Sequence, residues 1–189
     1  PQFVETFIGS DIENHKLGGC AGLMAQVGNA QEARALKSCR IPVINYSNSV
    51  GGWSGMGNVL SDDVAVGRMA GSYMVSRGYG QFLGIGQVGR QFSAERLRGF
   101  RSVVEENGGK VVLLEVTGVV ESTLWSPQRY LEEMWEQLRA PLLNLPLEAG
   151  IFAVSDWLAW PLTRLLEERA PERSYTTCLV GVDNMQDAM

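Results

Sequence analysis

Apolar positions along the chain alternate between two periods. Compact apolar runs that read as strands occupy residues 21–27, 41–46, 81–86, 110–116, 150–154 and 178–182. Between them apolar residues recur every three or four positions, the spacing of a helix with one buried face. Those stretches are residues 30–38, a helix capped by Asp62 or Asp63 and stopped by Gly78, a helix from Ser93 to Asn107, one from Pro127 to about Arg139, and one capped by Asp156 that ends near Arg169. In the second of these the apolar face reads as Val66, Met69, Ala70, Tyr73 and Met74. Residues 51–57 form a glycine-rich loop carrying Trp53, and residues 2–7 read as a further strand. Strands alternating with helices of this length connect by right-handed crossovers, so the predicted fold is α/β, with doubly wound parallel sheets.

Composition narrows the function classes. The chain has 189 residues, 45 % of them hydrophobic, enough for one domain or two small lobes. A net charge of −5 argues against direct nucleic-acid binding by this segment, which would need a basic face. Three scattered cysteines (Cys20, Cys39, Cys178) have neither disulfide nor zinc spacing, which fits a reducing compartment. No apolar run is long enough for a membrane span. The single histidine, His15, lies in a weakly patterned segment, and no nucleophile elbow, metal motif or phosphate loop is present, so no enzyme is predicted.

In open α/β sheets ligands bind beyond the carboxyl ends of the strands. Polar residues fall at those ends: Asn45, Ser47 and Asn48, then Gln87 and Arg90, then Arg96, Trp125, Ser155, Asp156, Asp183 and Asn184. The set is rich in groups that bind hydroxyls and includes an aromatic platform, which suits a sugar-like polyol. Within SAERLRGF, Ser93–Phe100, Ser93 reads as an N-cap, placing Arg96 in the first helical turn at the positive end of the helix dipole. A cation there wants an anionic or polar partner, and its forked donors can grip two neighbouring hydroxyls or a carboxylate. Asp183 directly follows an apolar strand and caps no evident helix.

A competing motif is Gly84-Ile85-Gly86-Gln87-Val88-Gly89, which spells a dinucleotide fingerprint after a strand, with Glu115 near the end of the next. A pyrophosphate needs the helix to start at the glycines. Here residues 90–92 separate them from the predicted cap at Ser93, so an NAD-dependent oxidoreductase is the weaker reading.

The segments IPVINYSN (41–48), NVLSDDVAVGRMAGSYMVSRGYGQFLGIG (58–86), SAERLRGF (93–100), GIFAVSDWLAWPLTRLLEE (150–168) and LVGVDN (179–184) occur in this order. Their order and spacing resemble the effector-binding domain of lac-repressor/GalR-type transcription regulators. The likeness is greatest to the xylose-regulator (XylR) branch, which joins that domain to an AraC-type DNA-binding module. The resemblance covers about residues 20–189. It implies a periplasmic-binding-protein-like domain of two α/β lobes with a sugar between them. Residues 1–59 would belong to an incomplete amino-terminal lobe and 60–189 to the carboxy-terminal lobe. Arg96 matches the family's ligand-gripping arginine, Asp156 the aspartate of its A-N-D triplet, and Asp183 the aspartate that binds sugar hydroxyls. Ser155 stands where many members have asparagine, which implies a different pattern of recognised hydroxyls. Trp125 lies in a loop that stacks an aromatic on the ligand in some members, and Asn45 and Asn48 lie where the amino-terminal lobe reaches the sugar. The resemblance further implies a cytoplasmic homodimer without a cofactor, sensing a pentose such as xylose. It would contact DNA through a module outside this chain, within a longer polypeptide. The alternative of the same fold is a periplasmic sugar-binding protein serving a transporter.

Overall fold

The computed structural model of the chain describes residues 21–38, 41–117, 127–174 and 176–184. The strand expected at residues 2–7, His15, Cys20, Cys39 and the loop with Trp125 lie outside these. The chain divides into two compact units, one running to Ser61 and taking in Gly89–Phe92, the other comprising Asp62–Val88 and the chain from Ser93 onward.

Among its described residues the first unit carries three short parallel strands in the order β1 (Leu23–Ala25), β2 (Val43–Asn45), β3 (Gly57–Asn58) and one helix, α1 (Ala30–Ser38). Asn29 starts that helix by accepting from the N–H groups of Gln31 and Glu32 at 2.9 Å, while Glu32 reaches back to the N–H of Gly28 at 2.7 Å. This reciprocal pair satisfies donors that the first turn would otherwise leave open. Ala33 and Leu36 then pack with Ala25, Val27 and Val43, and Trp53 and Met56 lie against this cluster.

The second unit is a four-stranded parallel sheet in the order β5 (Lys110–Val116), β4 (Gln81–Gln87), β6 (Gly150–Ala153), β7 (Cys178–Val180). The central strands β4 and β6 are almost wholly buried, as their unbroken apolar runs require, whereas the edge strand β5 is half exposed. From β4 the chain goes outward to β5 and then crosses to β6 on the other side. The strand order therefore reverses between β4 and β6, and crevices form at such reversals.

Among the described residues five helices accompany this sheet: α2 (Asp63–Ser76), α3 (Gln91–Glu106), α4 (Pro127–Asn144), α5 (Asp156–Arg169) and the short α6 (Pro171–Ser174). Asp62 caps α2, accepting from the N–H of Ala65 at 2.9 Å. The apolar face expected on α2 is corrected: Ala70 and Met74 are buried, but Met69 and Tyr73 point outward, and the buried stripe is Asp63, Gly67, Ala70, Gly71 and Met74. The reason is a crossing at backbone distance. A Cβ at Gly67 would lie 1.9 Å from the carbonyl oxygen of Arg96 on α3, and one at Gly99 would lie 2.1 Å from that of Val64 on α2. Small residues win the inward face because larger ones cannot enter it. Below this crossing Phe100 packs on Phe152 at 4.8 Å and edge-on to Phe82 at 5.9 Å.

Ser93 is not the start of α3, as expected, but lies inside it, and the helix begins at Gln91. Gln91 and Phe92 give their N–H groups to the backbone carbonyls of Ser49 and Asn48, so no side-chain cap is needed. Helix α4 extends past Arg139 to Asn144, through Pro141. The buried Arg173 donates to the carbonyl of Leu143 in its last turn and to those of Leu145 and Pro146 just beyond it, a favourable place for a cation. In α5, Pro161 has no N–H to give the carbonyl of Trp157 one turn earlier. The Tyr130 hydroxyl of α4 donates to that carbonyl at 3.3 Å instead.

Two outcomes follow for denaturant unfolding. Gly67→Ala should cost about 3 kcal/mol, because backbone rather than a mobile side chain blocks the added methyl. Tyr130→Phe should cost about 1 kcal/mol near neutrality by uncovering the Trp157 carbonyl. Burial pushes the Tyr130 hydroxyl up from 10.0 to about 12. The folded chain therefore holds this proton more tightly. Its contribution is complete below the unfolded value and is lost as pH rises towards about 12. Stability of the phenylalanine variant should lack that component of the alkaline decline.

Candidate functional site

The chain leaving β6 and the chain leaving β7 meet one buried guanidinium. Arg96 comes from the second turn of α3, not the first as expected, and only 8 % of it is exposed. Its Nε donates to Asp63 Oδ1 at 2.8 Å, and its Nη1 donates to the Val154 carbonyl at 2.6 Å and to Asp183 Oδ1 at 3.4 Å. A guanidinium buried to this degree requires carboxylate partners and satisfied protons, and these three acceptors supply them. The α2–α3 crossing sets the geometry, since Asp63 lies one turn before Gly67 and Arg96 three residues before Gly99.

Ser155 follows β6 in extended backbone and occupies the N-cap position of α5, but its hydroxyl makes no capping bond. Buried at 4 % exposure, its Oγ has no hydrogen-bond partner among the described residues. Buried hydroxyls in folded proteins are nearly always partnered, so this one retains the capacity for a further hydrogen bond at a strand end. Asp156 is the first helical residue rather than the expected cap. Its N–H donates to the Val182 carbonyl at 2.8 Å, and its carboxylate sits against Gly181, where a Cβ would come within 2.2 Å of Oδ1. The chain entering Asp183 is thereby fixed to the head of α5. Asp183 and Asn184 both adopt left-handed backbone, φ 101° and 52°. Strain of this kind at non-glycine residues concentrates at functional sites. The Asp183 side chain is 41 % exposed, so one face of its carboxylate is open to solvent.

Of the residues predicted for the site, Arg96 and Asp183 come into contact, and Ser155 and Asp156 follow directly on Val154, to which Arg96 donates. Asn45 belongs to the first unit and is fully buried. Its amide accepts from Val27 and Ser47 N–H and donates to the Ser47 carbonyl and Asn58 Oδ1, tying β2 to its neighbours. In the same unit Asn48 donates to the Ser61 carbonyl at 2.9 Å. Trp125 lies outside the described residues.

Sequence reasoning missed Asp63, which it read with Asp62 as one cap. The available signal was position: Asp63 heads the stripe Gly67, Ala70 and Met74 at helical spacing, so it had to face inward. The dinucleotide motif fails on different grounds from those expected. The helix does start close behind Gly89, but Gly84 and Gly86 lie inside β4, not in a turn. A Cβ at Gly86 would meet Ser93 Oγ at 2.5 Å and Leu97 at 2.7 Å, so this glycine admits α3 to the sheet. Ser93 Oγ in turn accepts from the N–H of Gln87 at 2.7 Å. Among the described residues no cluster of histidine, cysteine or carboxylates fits a metal ion, and no helix is long and apolar enough to cross a membrane.

A model of the periplasmic binding protein domain family matches residues 10–189. Comparison with curated protein sequences finds no match. Among solved structures, the fold is similar to that of the xylose-binding transcription activator XylR. The TM-score is 0.69 at 22 % identity, covering 88 % of this chain and 43 % of that one. A periplasmic binding protein/LacI transcriptional regulator from Alkaliphilus metalliredigens, complexed with D-xylulofuranose, gives 0.66 at 22 % identity, over 87 % and 57 %. The periplasmic sugar-binding protein of an ABC sugar transporter from Legionella pneumophila gives 0.70 at 15 % identity, over 94 % and 65 %. The chain thus spans less than two thirds of each of these proteins.

Because Arg96 and Asp63 are buried together, Arg96→Ala should destabilise the second unit by about 3–5 kcal/mol, removing the cation that the buried carboxylate faces. Thermal unfolding by circular dichroism checks this. A variant as stable as the native chain would show that the pair is not buried in solution.

Proposed function

The chain belongs to the periplasmic binding protein domain family, and from that premise we propose that it is the sugar-sensing, effector-binding part of a bacterial transcription regulator. The observation that carries the sugar reading is the meeting of the Arg96 guanidinium, the half-exposed Asp183 carboxylate and the open Ser155 hydroxyl at the strand ends. Each sugar hydroxyl both donates and accepts. A carboxylate takes the protons of two neighbouring hydroxyls while an arginine donates to their oxygens. In this reading Arg96, Asp183, Ser155 and Asp156 contact the ligand and Trp125 and Asn48 are further candidates, whereas the Asn45 amide is fully buried and bonded within the first unit. A pentose such as xylose is the ligand class.

The regulator reading is supported by the ordered segments shared with lac-repressor/GalR-type regulators and by the structural likeness to XylR. The protein then acts in the cytoplasm as a homodimer, and sugar binding biases one arrangement of the domain over another by its differential affinity. DNA is contacted by a module outside this chain. A second reading, a sugar-binding protein serving a transporter, is favoured by the equally strong likeness to the Legionella pneumophila protein.

Titration calorimetry of the full polypeptide with pentoses and hexoses tests the sugar reading. One neutral sugar should bind saturably, and Asp183→Ala should weaken it by about 10- to 100-fold by removing a charge-assisted acceptor. Asp183 suits this test better than Arg96, whose loss also unbalances the fold. Unchanged affinity in the variant would move the site elsewhere. Recovery of the protein from the cytoplasmic fraction, with a sugar-dependent DNA mobility shift, would favour the regulator; periplasmic recovery would favour the transport protein.

A further inference from the structure

We infer that Asp63 sets the ligand's charge class: by neutralising and orienting Arg96, it makes the site select neutral sugars over the corresponding sugar acids and sugar phosphates. The inference rests on the sugar-binding reading above and concerns a residue outside the predicted contact set.

Asp63 is 2 % exposed and occupies the first turn of α2, where the helix dipole favours a carboxylate. Its Oδ1 takes the Nε proton of Arg96 at 2.8 Å. The α2–α3 crossing, closed to within backbone contact at Gly67 and Gly99, leaves the pair no freedom to separate. One positive charge is therefore met by two carboxylates, Asp63 at 2.8 Å and Asp183 at 3.4 Å, and the cluster has a formal charge of one minus. A ligand carboxylate or phosphate placed here finds no uncompensated cation and lies against Asp183. A neutral hydroxyl suffers no such penalty, because it accepts from the guanidinium and donates to the carboxylate. An arginine without Asp63 would be a counter-ion; with Asp63 it is a donor of hydrogen bonds. Asp63 does not reach the ligand in this account. It acts through Arg96, as a positioning residue.

The test is calorimetry on the full polypeptide with D-xylose, D-glucose and D-galactose, beside D-glucuronate, D-galacturonate and D-glucose 6-phosphate. Native protein should bind one neutral sugar at least about tenfold more tightly than any of the anions. In Asp63→Asn, which keeps an oxygen to accept from Arg96, that ratio should narrow by about tenfold or reverse, and anion binding should weaken with added salt. Asp63→Glu should restore the neutral preference, which a purely structural role would not distinguish from the asparagine variant of equal stability. A folded Asp63→Asn protein with an unchanged ratio overturns the inference while leaving the sugar reading intact. Should that variant not fold, the native ratio decides, and a uronate bound as tightly as its neutral parent overturns the inference. Native protein that binds none of the six probes overturns the sugar reading, and the inference falls with it.

Discussion

The buried pair of Arg96 and Asp63 is the constraint around which the second unit is arranged. A guanidinium this deep is tolerable only with a carboxylate in hydrogen-bonding contact, and the carboxylate only with its cation. The two residues lie 33 positions apart on different helices, so those helices must meet closely. Glycine at 67 and 99 makes that possible, and the aromatic cluster of Phe82, Phe100 and Phe152 fills the layer beneath. Hydrophobic burial supplies the stability; the ion pair fixes which of the close packings is adopted.

The same pair connects scaffold to site. By donating to the Val154 carbonyl, Arg96 fastens α3 to the end of β6, next to Ser155. By donating to Asp183 it reaches the chain beyond β7, which the head of α5 also holds through Asp156 and Val182. Groups from two strand ends, those of β6 and β7, are thus held by few bonds. The buried Ser155 hydroxyl and the exposed face of the Asp183 carboxylate are hydrogen-bonding groups this network leaves unused.

The α/β alternation was legible because strand and helix periods differ sharply, and α1, β5 and α5 coincide with their predicted spans or nearly so. What the pattern hid has physical causes. Ser93 looks like a cap because its residue type suits one, yet the helix already starts at Gln91. There the carbonyls of Ser49 and Asn48 meet the first N–H groups, partners only the folded chain supplies, and the Ser93 hydroxyl accepts from Gln87 instead. The face of α2 was misjudged because hydrophobicity outweighs size in a sequence reading, whereas a crossing at backbone distance reverses that order for Met69 and Tyr73. Arg96 and Asp183 were readable from their places at the turns. Asp63 was not, because a cap and an ion-pair partner look alike in the run SDD.

The left-handed backbone at Asp183 sets two selective pressures against each other. Glycine would adopt φ 101° without penalty, so mutation screened only for a better-folded protein drifts towards losing the carboxylate. A laboratory lineage propagated for thermostability alone would tend to discard it. On the proposal that Asp183 takes sugar hydroxyls, lineages kept under demand for a ligand would retain the aspartate and compensate elsewhere in the chain. The conformational strain at one residue thus makes stability a misleading guide to fitness for this protein.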